Sequence, residues 1–178
     1  MAAFLRKYRG VCLFGLLVLV VSGCGYTLVG QGSLPRHIKT IAIPTFDNKT
    51  LEQGIEDVLT QAMIDVYGRG GKVQLVAEHV ADAVLEGIVR SYNSDEVVEF
   101  NEQNAPSEYR LTVIVDIELR DLSTDNILWR SEKLQGTAEF LGGPDYNLAT
   151  ENENKRTALE ELSKELAEKV FALSTEGF

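Results

Sequence analysis

The sequence predicts an α+β domain, two helices packed on one face of a mostly antiparallel four-stranded sheet, and three observations carry that expectation. Residues 109–121 alternate apolar and polar side chains along their whole length, the period of a strand covered on one side. Two stretches, after Thr50 and after Thr150, repeat apolar residues with the period of a helix. The order along the chain is strand, helix, three or four strands, helix, with turn-forming residues between them.

A short segment precedes the domain. Residues 1–9 carry Arg6, Lys7 and Arg9 and no acid; residues 11–21 are apolar or small, and Val21-Ser22-Gly23-Cys24 follows directly. A positive start, an apolar middle and a small-residue ending are the parts of a secretory signal. The apolar run is well short of the ~20 residues that span a bilayer, so residues 1–23 are expected to be a signal peptide. The Val-Ser-Gly-Cys ending resembles the lipobox of bacterial lipoproteins, which implies acylation of the Cys24 thiol and of its new amino group. Cys12 would leave with the signal, so Cys24 is the lone cysteine of the mature chain. Lipidation accounts for it where a disulfide cannot. Gly25, in place of the Asp that holds such proteins at the inner membrane, leans toward the outer membrane.

Residues 24–35 hold Gly25, Gly30, Gly32 and Pro35 and are expected to be a lipidated tether into a single domain over residues 36–178. Residues 38–43 form a β-branched run stopped by Pro44. Thr50-Leu51-Glu52-Gln53 fits a capping box, after which Leu51, Ile55, Val58, Leu59, Ala62 and Val66 mark one helix face. Gly68, Gly70 and Gly71 end that helix. Residues 73–76 predict a second strand, and residues 83–92 a third that continues in some form to Phe100. Residues 102–107 are a loop before the strand at 109–121. Ser123-Thr124-Asp125-Asn126 turns the chain back into a strand from Ile127 to about Phe140. Gly142-Gly143-Pro144 breaks the sheet, and Thr150-Glu151-Asn152-Glu153 fits a second capping box. The last helix is expected to bury Leu159, Leu162, Leu166, Val170 and Leu173, with Glu160, Glu161, Lys164 and Lys169 outside.

Charge narrows the function. The chain carries 17 basic against 27 acidic residues, and removal of the three basic residues of the signal leaves 14 against 27, a net −13. Such a surface repels phosphate backbones, which argues against nucleic acid and against general adhesion to anionic membranes.

A search for chemistry yields no catalytic set. His37 and His79 lie far apart in sequence with no partner at metal-ligand spacing, and are expected to be surface residues. Asp116 and Glu118 share a strand face as paired carboxylates might, but Arg110 and Arg120 on that face would pair with them and keep both ionised. Gly68-Arg69-Gly70-Gly71 follows a helix, whereas a phosphate cradle precedes one. Trp129 is expected in the core. The chain is therefore expected to be no enzyme, with no catalytic or metal residues and no cofactor beyond the covalent lipid on Cys24.

Cys24-Gly25-Tyr26-Thr27-Leu28, Gly30, Leu34-Pro35, the strand Ile38-Lys39-Thr40-Ile41-Ala42-Ile43-Pro44 and Phe46-Asp47-Asn48-Lys49-Thr50 resemble the LptE family of lipopolysaccharide-assembly lipoproteins. The likeness continues through Gly54-Ile55-Glu56, Leu59-Thr60-Gln61-Ala62 and Ala81-Asp82-Ala83-Val84-Leu85-Glu86-Gly87. It covers the first half of the mature chain well and the second half by its order of elements. The resemblance implies an outer-membrane lipoprotein with two helices on a four-stranded sheet, on the periplasmic side or within the lumen of a β-barrel. It further implies a complex with an LptD-like barrel translocon, which the chain partly plugs, supporting barrel assembly and lipopolysaccharide transport to the cell surface. Arg110 and Arg120 point to the same side of one strand, and Arg130 joins them if the hairpin register keeps even-numbered residues together. These three are the candidate contact for lipopolysaccharide or partner. Two other classes fit the residues: a lipoprotein accessory of another envelope machine, such as a secretin pilot or cell-wall synthase activator, and an anchored hydrolase, which would need a nucleophile and base within reach.

Overall fold

The structure is a computed structural model that describes residues 34–175; the expected signal (1–23), Cys24 and all but the last two residues of the tether lie outside the described residues. The first strand, β1 (Thr40–Ala42), runs parallel to the start of β4 (Ala83–Phe100), with Ile41 opposite Ala83. Pro44 has no N–H to give a ladder, so the chain leaves that edge and rejoins it as β2 (Asp47–Asn48), parallel to Ile88 and Val89 of the same strand. Helix α1 (Ile55–Gly70) then crosses back and delivers β3 (Gln74–Leu75) parallel to β1, as a parallel pair requires. After a single 3₁₀ turn at Glu78–Val80, the long strands β4, β5 (Pro106–Asp121) and β6 (Ile127–Leu141) form an antiparallel meander, and α2 (Leu148–Thr175) closes the described domain.

The α+β class therefore holds, with a different sheet. It has six strands and is mixed, in the order β3-β1-β4-β5-β6 with β2 beside β4, in place of four mostly antiparallel ones. The correction has a simple cause. Strands of two or three residues show no alternation, and their parallel direction follows from the crossover helix.

One face of the sheet is the core. Leu111, Val113, Val115, Ile117 and Leu119 of β5 are buried in one cluster with Ile55, Leu59, Met63 and Tyr67 of α1. Helix α2 adds Ala158, Leu162, Leu166, Ala167 and Val170, while Leu159 and Leu173 are only partly buried and Trp129 is half-buried against the core. The helix ends meet at Tyr67, whose ring lies edge-on to Phe171 at 5.1 Å and whose hydroxyl shares a 2.6 Å hydrogen bond with Ser174. Burial pushes that phenol up to about 12. Gly87 of β4 is needed where it stands, because a Cβ there would lie 2.4 Å from the Phe46 ring.

Neither capping box forms. Helix α1 begins at Ile55 behind Gly54, and Thr50 lies in the preceding loop, where Asn48 holds it. Asn48 Oδ1 accepts from the Thr50 N–H and hydroxyl at 2.8 Å each, and its amide donates to the Glu52 carbonyl and to Glu56 Oε2. Leu51 consequently points out and is fully exposed, not part of the buried stripe. At α2, Asn147 Oδ1 accepts from the Thr150 N–H at 3.0 Å, so Asn147 caps the helix and Thr150 lies inside it. Gly71, in the left-handed region at φ 66, ends α1 as expected. Among the described residues, no helix is long and apolar enough to cross a membrane.

Candidate functional site: the open face of the sheet

Alternation along β5 puts the even-numbered residues on the face that the helices leave uncovered, and the charged side chains gather there. Arg120 Nη2 reaches Glu86 Oε2 of β4 at 3.2 Å and Glu118 Oε1 at 2.8 Å, while its Nη1 reaches Asp125 Oδ1 at 3.4 Å. Arg130 donates through Nε to Glu118 Oε2 at 2.8 Å, and its Nη2 also reaches that oxygen. Glu118 thus sits between two guanidiniums with its side chain 15% exposed. Beside it, Asp116 Oδ2 accepts from Arg90 Nε at 2.6 Å and its Oδ1 from the Lys133 backbone N–H at 2.8 Å. These two bonds, the backbone one first, hold the Asp116 carboxyl below the usual carboxylate range.

The register explains which arginines meet. From Ile117 to Leu119 even residues face even ones, with Glu118 opposite Arg130, so Arg130 joins the open face as the sequence allowed. Between Ile117 and Val115 the register shifts, and Lys133 takes a positive φ of 54 at the resulting bulge. Beyond it even faces odd, and Arg110 lies opposite Glu139. Arg110 is ten residues from Arg120 on one strand, roughly 33 Å at the rise of an extended chain. It pairs separately, with Glu96 at 2.7 Å and Glu139 at 3.0 Å.

The structure therefore brings together Arg120 and Arg130, adds Arg90, and leaves Arg110 at the far end of the face. Arg90 was the residue missed. The signal for it was the alternation of Glu86, Ile88 and Arg90, which the antiparallel register sets opposite Glu118, Asp116 and the bulge. A shallow groove over β4–β6 is lined by Arg90, Arg120 and Arg130 against Glu86, Asp116, Glu118 and Glu132. Three cations against four anions leave no positive excess to hold a phosphate. Asp116, held below the usual carboxylate range, gives no proton donor near neutral pH. What such a mosaic does well is exchange ion-pair partners across a broad, flat contact.

Two further carboxylates act at the end of the domain where the tether enters. Asp82 Oδ2 accepts from the backbone N–H groups of Lys39 and Thr40 at 2.9 Å each and from the Thr40 hydroxyl at 2.8 Å, fixing β1 to the start of β4. Asp121, with its side chain 3% exposed, accepts from His37 Nε2–H at 2.8 Å and from the Ser123 N–H and hydroxyl. His37 is thus engaged with a carboxylate, whereas sequence spacing gave it no partner. Among the described residues, no group of three or more His, Cys, Asp or Glu side chains is placed to hold a metal ion.

Comparison with known proteins adds the context. A family model described as LptE, lipopolysaccharide-assembly, matches residues 38–173. No curated protein sequence matches the chain significantly. Among solved structures, the protein CT253 of Chlamydia trachomatis is 10% identical with a TM-score of 0.51, over 76% of this chain and 96% of that one, and shows the fold alone. The PelC dodecamer of Paraburkholderia phytofirmans (21% identity, TM-score 0.48, 80% and 90% covered) and the rare lipoprotein B of Shewanella oneidensis (12%, 0.48, 75% and 91%) are more distant in shape.

Proposed function

The chain belongs to the LptE lipopolysaccharide-assembly family, and on that premise we propose that it is an outer-membrane lipoprotein, anchored through acylated Cys24, that complexes with and partly plugs an LptD-like β-barrel translocon. In this reading it is a non-enzymatic accessory that supports assembly of the barrel and passage of lipopolysaccharide to the cell surface. The observation that carries it is the family match over residues 38–173, which takes in nearly all of the described domain from just before β1 to the last turn of α2. The physical form is in keeping with such work. A flat, charge-paired sheet face offers a specific contact to a protein partner of complementary charge pattern.

Arg110, Arg120 and Arg130 are assigned in the same reading to that contact surface. The carboxylates around each of them favour a protein partner over lipopolysaccharide, since a phosphate group would first have to displace an anion already bound. Affinity capture from outer membranes with a C-terminal tag tests the whole proposal. Recovery of a β-barrel partner with the wild-type chain is expected, and a partner from another envelope machine would replace this reading. Metabolic labelling with a fatty-acid probe tests the anchor: Cys24→Ala should carry no label, and label retained by that variant would remove Cys24 from the assignment.

A further inference from the structure

At the end of the sheet away from the tether, the β4–β5 turn, the end of β6 and the start of α2 come together and leave large apolar side chains in solvent. Phe100 is 53% exposed, Leu141 49% and Leu148 73%. The register joins the first two to one place, because Phe100 lies opposite Pro106 and Leu141 opposite Glu108. The third is held close by Asn101 Nδ2, which donates to Asp145 Oδ2 at 2.5 Å, three residues before Leu148.

This tip is built to hold its shape. Asn101 Oδ1 accepts from the N–H groups of Gln103 and Ala105 at 3.1 and 2.9 Å, and the Asn101 N–H donates to the Ala105 carbonyl at 2.8 Å. The Gly142 N–H donates to the Ser107 carbonyl and the Gly143 N–H to Glu151 Oε2, tying the second segment to the first and to the helix. A turn fixed in this way presents its apolar groups without the ordering cost that a loose loop would meet on binding. Large apolar side chains exposed at one end of a domain among polar ones are the kind of surface that interaction sites use.

The charge around the patch says what covers it. Residues 95–109 and 139–151 contain eight carboxylates and neither lysine nor arginine. The cation that reaches them from β5 is Arg110, which binds Glu96 and Glu139. Lys155, from α2, lines the groove beside Asp95, and with both cations counted this end still carries a net −6, close to half of the −13 on the mature chain. A phosphorylated glycolipid or an anionic bilayer would be repelled there. A protein socket with an apolar floor and a rim of lysine and arginine would be attracted over a distance and then seated by the apolar groups.

The geometry points to this acidic, apolar tip as the docking surface for a basic-rimmed apolar socket on the protein partner. The inference rests on the proposed complex with a barrel and adds to the arginine face a second part of this chain that takes part in it. The tip adjoins the open face at Arg110 but lies apart from the groove of Arg90, Arg120 and Arg130, and of the two the tip is the one that combines exposed apolar side chains with unbalanced charge.

The test uses the tagged full-length chain captured from outer membranes, with two variants. Phe100→Ser, Leu141→Ser and Leu148→Ser together should lower barrel recovery at least tenfold at an unchanged melting temperature, because none of the three is buried. Glu99→Gln, Glu102→Gln and Glu108→Gln together should lower recovery at low salt and remove most of its salt dependence. Were the apolar triple to melt early, the single variants Phe100→Ser and Leu148→Ser would decide in its place. Recovery equal to wild type in the folded variants would overturn the docking tip and leave the barrel complex standing. A wild-type chain that brings down no barrel would overturn both. Loss of labelled lipopolysaccharide with barrel retained would overturn the inference and give the tip to the glycolipid.

Discussion

His37 donates a 2.8 Å hydrogen bond to Asp121, and so ties the residue before Ile38 to the last residue of β5, 84 positions on. Hydrogen bonds from the Ser123 hydroxyl first, then from His37, hold the Asp121 carboxyl well below the usual carboxylate range. Asp82, bonded chiefly by the Lys39 backbone N–H, is lowered too. Both groups fix the start of β1 to the long strands, and both do so as anions.

The first prediction follows by linkage. A carboxylate whose native pKa is depressed contributes stability that is present above its unfolded value, about 4, and is lost as pH falls through the native value. Denaturant midpoints of the wild-type domain should therefore drop between about pH 5 and about pH 2. Asp121→Asn should be less stable at neutral pH and show a flatter acid limb, so that the two profiles converge in acid. Parallel profiles would show that Asp121 contributes nothing through its charge.

Core packing gives the second prediction. Gly87→Ala places a methyl against the Phe46 ring, itself 3% exposed, and overpacking of this kind costs about 1–3 kcal/mol. Leu162→Ala, 1% exposed in mid-helix, should cost roughly 2–5 kcal/mol, and Val113→Ala on β5 roughly 1–3 kcal/mol. Leu51→Ser should leave the midpoint unchanged, since that side chain is fully exposed. Urea melts separate the four, and a destabilised Leu51→Ser would mean that the loop before α1 packs differently.

The helix start of α2 supplies the third. Asn147→Ala removes the acceptor for the Thr150 N–H and should cost about 0.5–2 kcal/mol, the usual loss for a cap. Thr150→Ala, inside the helix, should change stability little. The reverse ranking in thermal melts would restore the capping box at Thr150.

Those two caps show how far the sequence could be read. The long elements were legible because period survives in them: every odd residue from Leu111 to Asp121 is buried, and α2 buries Leu162, Leu166 and Val170 as its spacing demands. The short parallel strands were not, since Asp47–Asn48 has no alternation to show and its pairing with β4 depends on where Pro44 breaks the chain. Thr-x-x-Glu/Gln is a local pattern, and in both places an upstream asparagine engages the threonine N–H, Asn147 as the cap of α2 and Asn48 within the loop before α1, whose N-cap is Gly54. At the candidate site, alternation placed Arg110 and Arg120 on one face but said nothing of distance. Ten strand residues separate them, and the bulge at Lys133 decides which neighbours each meets.

The last prediction concerns that face. Arg120 and Arg130 share Glu118, and Arg110 bridges Glu96 and Glu139. Neutral variants test their role better than reversed ones, which would add anions beside carboxylates already present. Arg110→Gln, Arg120→Gln and Arg130→Gln together should leave the fold cooperative, because exposed ion pairs contribute only about 0–1 kcal/mol each. Capture of purified labelled lipopolysaccharide should stay within about twofold of wild type, an energy difference of under about 0.5 kcal/mol. Recovery of the barrel should fall, since the variant removes two of the three cations of the mosaic and Arg110 beyond it, and takes from Glu86 and Glu118 their arginine partners. Both are read in one pull-down from the same membranes. Barrel recovered in full with glycolipid lost would instead make the arginines a lipopolysaccharide contact, held by guanidiniums that give up their own carboxylates to the incoming phosphates.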